Sequence, residues 1–294
     1  MSAYVYQPAA RATDFPSAME ALRRSGRRVV EGGIDNTSPA RVRRILQLGM
    51  DEGLPFIACP IDVEAYRAYV ERAEYRRKYR EYYAGNQVEK SLEHFVGLTL
   101  LGVKKDDVFV DLASEHSPVP DIYRALTGCT SYRQDIMYPA GIDGDRIGGD
   151  AAALPVADGF FTKATLTCSL EHFEQDADRG LFRELARVLR PGGKVCVAPY
   201  YCYEELAVQT DPVMSVPAEV PFDEGVPVHC AAGWNNRHGR FYSPKAFRER
   251  IMASVAGKMR FDFFHLVNAH EVDTTVYLRF AVVATRVLVP FGPP

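Results

Sequence analysis

The sequence predicts an α/β fold, a doubly wound and mostly parallel sheet with a helical addition at its N-terminal end. Three observations lead there. Between Asp107 and Tyr201 short apolar runs alternate with amphipathic stretches, the pattern of strand–helix–strand units joined by right-handed crossovers. The run VFVDL (Val108 to Leu112) is apolar and β-branched, as a central strand buried on both faces must be. Pro191-Gly192-Gly193 then turns an amphipathic helix into the apolar run KVCVAPYY.

Composition narrows the class. The chain has 294 residues, 47% hydrophobic and 25% charged, with a net charge of −3, ordinary for a globular protein. That charge gives no general reason to expect nucleic acid or an anionic membrane as partner. No apolar run approaches the roughly 18–20 residues of a membrane span, and the N-terminus shows no apolar signal segment. Six cysteines include no CxxC pair, so a reduced, cytoplasmic protein without a structural metal is expected.

Taken in order, residues 1–36 mix Arg, Gly and Ala without periodicity, and ALRRSGRRVVEGG reads as a solvated arm or a phosphate-holding one. Thr37-Ser38-Pro39 starts a helix running to about Asp51, with Ser38 as cap and Pro39 in its first turn. Asp62 starts a longer helix to Gly85, with Glu74–Lys78 and Arg77–Glu81 as opposite-charge pairs. Its stripe of Tyr75, Tyr79 and Tyr82 either packs on the domain or faces a substrate. The next helix, QVEKSLEHFVGLTLLG, presents Leu92, Phe95 and Val96, and Gly102 ends it. After VFVDL come a helix DIYRALTG closed by Gly128, a strand TSYRQD ending at Asp135, and a strand or edge DRIGGD ending at Asp150. FFTKATLTCSL is the fourth strand, and DADRGLFRELARVLR the helix before KVCVAPYY.

In such sheets ligands bind at the carboxyl ends of the strands. The residues there are Asp111 with Ala113, Ser114, Glu115 and His116, then Asp135, Asp150 and Ala151, then Ser169, Leu170, Glu171 and His172, then Tyr200 and Tyr201. Asp at strand ends also forms turns and caps.

Asp111, Asp135, Asp150-Ala151 ahead of Leu154-Pro155, Leu170-Glu171-His172 and Arg187 to Gly193 recur in that order. Over about a hundred residues the chain resembles the class I S-adenosylmethionine-dependent methyltransferases, in the ubiquinone/menaquinone-biosynthesis-like type 11 group. The resemblance implies a seven-stranded Rossmann-like sheet with an antiparallel last strand, helices before the first strand covering the site, and S-adenosylmethionine as cofactor. It further implies Asp135 at the ribose hydroxyls, Asp150 and Ala151 at the adenine, and Asp111, Ala113, Ser114, Glu115, Ser169 and Leu170 around the rest of the cofactor. In one respect the chain departs: the first loop, ASEHS, has no glycine, and Glu115 stands where the cofactor's carboxylate would approach.

His172 and His116 are the candidate proton acceptors. His172 is equally an ordinary packed residue of its motif. A metal group of His116, Cys168, His172 and His229, or a Cys168 nucleophile, is not demanded by any spacing. The chain divides into an arm and helical cap, 1–102, and a catalytic domain, 103–294, in which 202–240 is a long connection. Such connections are commonly lids. This one holds Trp234, Arg237 and His238, which join Tyr200 and Tyr201 as substrate-binding candidates and would suit an acidic substrate if they converge. Ser243-Pro244 starts a further helix, and two long final strands follow. No GxGxxG is present, which counts against a dehydrogenase. The expected activity is methyl transfer to a small molecule, oxygen first, by a monomer or homodimer; the alternative is a methyltransferase-like protein without transfer activity.

Overall fold

A computed structural model describes residues 14–287. The chain opens with α1 (Phe15–Arg24) and β1 (Val29–Glu31), followed by α2 (Pro39–Asp51), β2 (Phe56–Cys59), α3 (Val63–Ala73), α4 (Tyr75–Lys78) and α5 (Gln87–Leu101). Then come β3 (Val108–Leu112), α6 (Val119–Thr127), β4 (Thr130–Asp135), β5 (Gly141–Asp143), β6 (Arg146–Gly148), β7 (Phe161–Thr167), α7 (Ala177–Val188) and β8 (Leu189–Ala198). The remainder is β9 (Ala207–Thr210), α8 (Pro212–Ser215), β10 (Val228–Cys230), β11 (Gly239–Phe241), α9 (Pro244–Arg250), β12 (Met259–Leu266) and β13 (Phe280–Arg286).

Among the described residues the strands form two sheets. The larger has nine strands in the order β2-β12-β13-β8-β7-β3-β4-β6-β5. β3, β4, β6, β7 and β8 run parallel, and β13 inserts antiparallel between β8 and β12. The seven strands from β12 to β6 are the expected Rossmann-like sheet, widened by β2 on one edge and by β5 on the other. The order reverses at β3, between β7 and β4, so the crevice for a ligand opens beyond the carboxyl ends of these strands.

Alternation along the strands builds a core on each face. Val110 and Leu112 of β3 and Val195 and Val197 of β8 meet α2, α7 and α9 through Ile45, Phe182, Leu185 and Phe247. Phe109 of β3 and Cys196 and Ala198 of β8 meet α3, α5 and α6 through Tyr69, Leu92, Val96 and Tyr123. Gly97 lets α5 settle on the sheet: a Cβ there would lie 2.9 Å from the Tyr123 hydroxyl and 3.2 Å from Thr165.

Several expectations change. The helix predicted from Asp62 to Gly85 breaks at Glu74, which takes a left-handed φ of 56°. Asp62 caps α3 by accepting from the Ala65 N–H, whereas at α2 Ser38 makes no side-chain cap and Asp35 accepts from the Thr37 and Ser38 N–H groups instead. Glu74 pairs with both Lys78 and Arg77. Tyr75 is fully buried, so the tyrosine stripe packs on the domain.

The arginine-rich arm, where described, is not a solvated tail. α1 and β1 join β9, β10 and β11 in the second sheet, ordered β1-β10-β9-β11. Met19 and Leu22 of α1 pack on Val208, Phe222 and Val228, and Arg27 donates to the carbonyls of Phe222 and Asp223. The long connection 202–240 therefore carries β9, β10 and the start of β11, three of the four strands of the small sheet. The first hundred residues divide three ways: α1 and β1 go with that sheet, β2 with the main sheet, and α3 to α5 with its face. No helix of the described residues is long and apolar enough to cross a membrane.

One buried cation joins the two sheets. Arg240 of β11 is fully buried and donates to Asp178 of α7 at 3.0 Å and to Asp223 at 2.9 and 3.2 Å. It also donates to the carbonyls of Phe173 and Gln175. Asp178 takes further bonds from Tyr242 and Arg250. Replacing the guanidinium by an apolar chain strips the half-buried Asp223 of its donors and takes one charged donor from the buried Asp178. Arg240→Met is expected to cost about 3–5 kcal/mol, measured as the shift in a urea unfolding curve. Tyr242→Phe, which removes one neutral donor, is expected to cost about 1 kcal/mol.

Candidate functional site

The site is built at the carboxyl ends of β3, β4, β7 and β8. Asp111, on β3, is fully buried. Its Oδ1 accepts from the Thr165 hydroxyl at 2.6 Å, and its Oδ2 makes no well-formed hydrogen bond, with the Ser117 hydroxyl as its near neighbour. Burial pushes this carboxyl up to about 6, against the Thr165 and Ser117 hydroxyls that pull it down. Buried polar atoms are almost always paired, so an orphaned carboxylate oxygen at the switch point marks a place for a ligand donor.

The glycine-free loop keeps the bends that glycine would make easy. Ala113 has φ 50° and Glu115 φ 46°, a left-handed conformation that costs an L-residue roughly 1–2 kcal/mol. The neighbours on and after β4 hold it. Gln134 accepts the Ala113 N–H through its side chain and the Ser114 N–H through its carbonyl. Asp135 Oδ2 accepts the Glu115 N–H at 2.7 Å, and Oδ1 that of Met137. Tyr138 donates to the Glu115 carbonyl at 2.6 Å. Glu115 and His116 are exposed, and Ser114 is buried.

Asp135 thus holds the loop, with lone pairs remaining for a hydroxyl. Asp150 is exposed, and its Oδ1 accepts the Ala152 N–H at 2.8 Å in a turn. Ala151 is buried beside it. Asp111, Asp135 and Asp150 lie after or within β3, β4 and β6, which are neighbours in the sheet. This row of carboxylates, the left-handed loop and the orphan oxygen fit a cofactor that brings an ammonium, hydroxyls and an amino group.

Beside this row lies a buried polar group that helical periodicity did not announce. Glu89, Lys90 and Glu93 of α5 are all buried. Lys90 donates to both Glu93 oxygens at 3.2 and 3.3 Å. Burial works against the Lys90 ammonium, but the Glu93 carboxylate outweighs it and holds its pKa well up. The Cys168 thiol, just past β7, donates to Glu93 at 3.1 Å and lies 3.5 Å from the Tyr201 hydroxyl and 3.8 Å from that of Tyr277. Burial pushes this thiol well up, which argues against a nucleophile. Glu89 Oε2 accepts the N–H groups of Tyr277 and Leu278, while its Oε1 has no partner. Ser169 Oγ and Glu171 Oε2 are likewise buried and unpartnered.

The remaining candidates separate. Tyr201 is in the group; Tyr200 is not, being packed in the core against Phe247, Tyr242 and Phe263. His172 and His238 tie the strand end to the small sheet. His172 Nδ1 donates to the His238 carbonyl at 2.6 Å, and His238 Nδ1 to that of Glu171 at 3.0 Å. His172 Nε2 lies 3.6 Å from Glu171. Trp234 covers Gly239, where a Cβ would meet its ring at 2.4 Å, and lies over the His172 ring. Arg237 pairs with Glu174 at 2.7 Å. Trp234, Arg237 and His238 thus tie the small sheet to the segment that follows β7, through His172, Glu174 and the Glu171 carbonyl. Leu170 is part of the core. Among the described residues no group of three or more His, Cys, Asp or Glu could hold a metal ion.

Two measurements test this description. Ala113→Gly relieves a left-handed alanine and is expected to stabilise the protein by about 1 kcal/mol, read from its urea midpoint. Glu89 is raised from 4.5 to about 8, first by burial and then by Glu93. Between these values the folded state binds more protons than the unfolded, so stability falls as pH rises through that window. Glu89→Gln is expected to flatten the fall in urea midpoints between about pH 5 and 8.

Residues 87–197 match the family model described as a methyltransferase domain. A stretch of 105 residues is 43% identical to the demethylmenaquinone methyltransferase of Mycolicibacterium vanbaalenii, covering 34% of this chain and 45% of that enzyme. The chain thus spans less than half the length of that relative. Among solved structures it is similar to the Burkholderia thailandensis 1,6-didemethyltoxoflavin N1-methyltransferase (TM-score 0.48, 13% identity, 80% of this chain and 95% of that one). It is also similar to the geranyl diphosphate C-methyltransferase of Streptomyces coelicolor (TM-score 0.43, 13% identity, 68% and 81%). The family match thus falls on β3 to β8, the acidic strand ends and the turn after β7, and residues 87–197 carry a methyltransferase domain.

Proposed function

We propose that the protein transfers a methyl group from S-adenosylmethionine to a small-molecule acceptor, with oxygen as the first choice of acceptor atom. The observation that carries this reading is the first loop: without glycine it still takes left-handed φ at Ala113 and Glu115, beside the orphan Oδ2 of Asp111. A chain with no ligand to place there would gain nothing from that conformation.

S-adenosylmethionine supplies an electrophilic methyl group when bound. The chain's part is to bind, orient and exclude water. Asp135 is proposed to accept from the ribose hydroxyls, Asp150 from the adenine amino group with Ala151 beneath the ring, and Asp111 with Ser169 from the methionine end. The acceptor is proposed to lie against Cys168, Tyr201 and Tyr277. Glu171 is the best-placed proton acceptor: it is buried, its Oε2 is free, and burial raises its pKa towards that of a useful base. His172, with Nδ1 tied to the lid, positions Glu171 through Nε2. His116, exposed on the loop, takes no part.

One observation favours a second reading, a methyltransferase-like protein without transfer activity. The Glu115 N–H is held by Asp135, so one donor of the cofactor cradle is already engaged. Titration calorimetry with S-adenosylmethionine and S-adenosylhomocysteine separates the two. Micromolar binding is expected; none at millimolar cofactor rejects methyl transfer. Asp150→Ala is expected to weaken binding about ten-fold, the loss of one charge-assisted hydrogen bond. An unchanged affinity rejects the adenine assignment.

A further inference from the structure

We infer that Tyr138 is a positioning residue for the cofactor: its hydroxyl, carried by the segment between β4 and β5, holds the glycine-free loop after β3 in the shape that admits S-adenosylmethionine. The inference rests on the methyl-transfer reading for the cofactor and adds the device by which this chain does without a loop glycine.

Glu115 stands at φ 46°, and both of its backbone groups are held from outside the loop. Asp135 Oδ2 takes its N–H at 2.7 Å, and the Tyr138 hydroxyl donates to its carbonyl at 2.6 Å. The same hydroxyl lies 3.4 Å from Ser114 Oγ. An L-residue left to itself favours negative φ by roughly ten-fold, whereas glycine is indifferent to the sign. The loop leaves β3 where the strand order reverses. Its course therefore sets the space left for a ligand beyond that strand. A bend of this kind, unfavourable in itself and fixed at both ends of one residue, is what a cofactor cradle without glycine requires.

Tyr138 can hold the loop because it is itself held. The Met137 N–H bonds to Asp135 Oδ1 at 2.9 Å and the Tyr138 N–H to the Asp135 carbonyl at 3.3 Å, a turn at the end of β4. Against this turn runs Gly148 of β6. A Cβ there would lie 1.8 Å from the Pro139 carbonyl oxygen and 2.6 Å from that of Tyr138, so the Tyr138–Pro139 backbone rests on β6 at an approach that only glycine permits. β5, the strand added beyond β6, pairs with it antiparallel and sets Gly141 opposite Gly148. The Arg146 guanidinium lies over the Tyr138 ring, 5.6 Å from its centroid, and adds a cation–π contact. The hairpin thus fixes the backbone and the ring of the residue whose hydroxyl reaches the loop.

The test is a double-mutant cycle in S-adenosylhomocysteine affinity, measured by titration calorimetry on the full chain with urea midpoints as the check on folding. Tyr138→Phe keeps the ring and removes the hydroxyl. It is expected to weaken S-adenosylhomocysteine about five-fold, because Glu115 regains negative φ in the free protein. Glu115→Gly alone is expected to change the affinity by less than about two-fold, the bend being held already. In the Glu115→Gly background, Tyr138→Phe is expected to cost about two-fold or less, since glycine takes the left-handed conformation unaided. A role in stability alone would lower the urea midpoint and leave no such coupling in affinity. An unchanged affinity in Tyr138→Phe, or an equal loss in both backgrounds, overturns the inference while methyl transfer stands. No binding of S-adenosylhomocysteine by the wild-type chain overturns both.

Discussion

The fully buried Arg240 guanidinium is the contact on which the arrangement of the two sheets depends. Its five donors reach two carboxylates and two carbonyls, all of them on segments that would otherwise have separate surfaces. The carbonyls of Phe173 and Gln175 belong to the stretch that leaves the end of β7. Fixing them fixes the turn of Leu170 to His172, and through it the reciprocal bonds between His172 and His238. A buried ion pair adds little net stability, because desolvation offsets attraction. Its value here is geometric: a planar fork accepts one orientation of the small sheet, and that orientation seats Trp234 on Gly239.

The site beneath depends on a different economy. Three carboxyl groups of α5 and the turn after β7 lie near one lysine, and two of them keep a buried oxygen with no protein partner. Such atoms raise the energy of the free protein, and a ligand that satisfies them recovers it on binding. The first loop works similarly. Ala113 and Glu115 are held against their conformational preference by Gln134, Asp135 and Tyr138, so the loop does not have to be bent when a ligand arrives. Glycine would have made the bend cheap but also loose; side chains from the neighbouring strand make it stiff.

What the sequence disclosed follows the range of the interactions involved. β3, β4, β7, α7 and β8 were legible, because apolar runs and turn residues are local signals and a parallel sheet buries whole strands. The acidic strand ends were legible because topology fixes where they stand. β2 was missed: FIAC is four residues on an edge, and only its pairing with β12 makes it a strand. β1 and the small sheet were missed for the same reason. Reading α5 by its apolar face concealed Glu89, Lys90 and Glu93, which are buried on the same helix. A signal was available in the i, i+4 row of Glu89, Glu93 and Gly97, where a residue without a side chain shows which side lies against the sheet. The contacts of Trp234, Arg237 and His238 were not legible because their partners, Gly239, Glu174 and the Glu171 carbonyl, are set by tertiary structure alone.

The pairing of β1 with β10 bears on how the molecule assembles. Arg27 bonds to a carbonyl 195 residues further along the chain, and among the described residues β1 pairs with β10 alone. A chain made from its N-terminus must carry this strand unpaired until β9 and β10 have emerged, long after the parallel core can begin to form. Contacts of such sequence separation form slowly, since the intervening loop must close first. The small sheet is thus a late event, and the charged run Arg23 to Arg28 beside β1 keeps its waiting edge soluble. The last step of folding then brings Trp234 against His172 in the turn that follows β7.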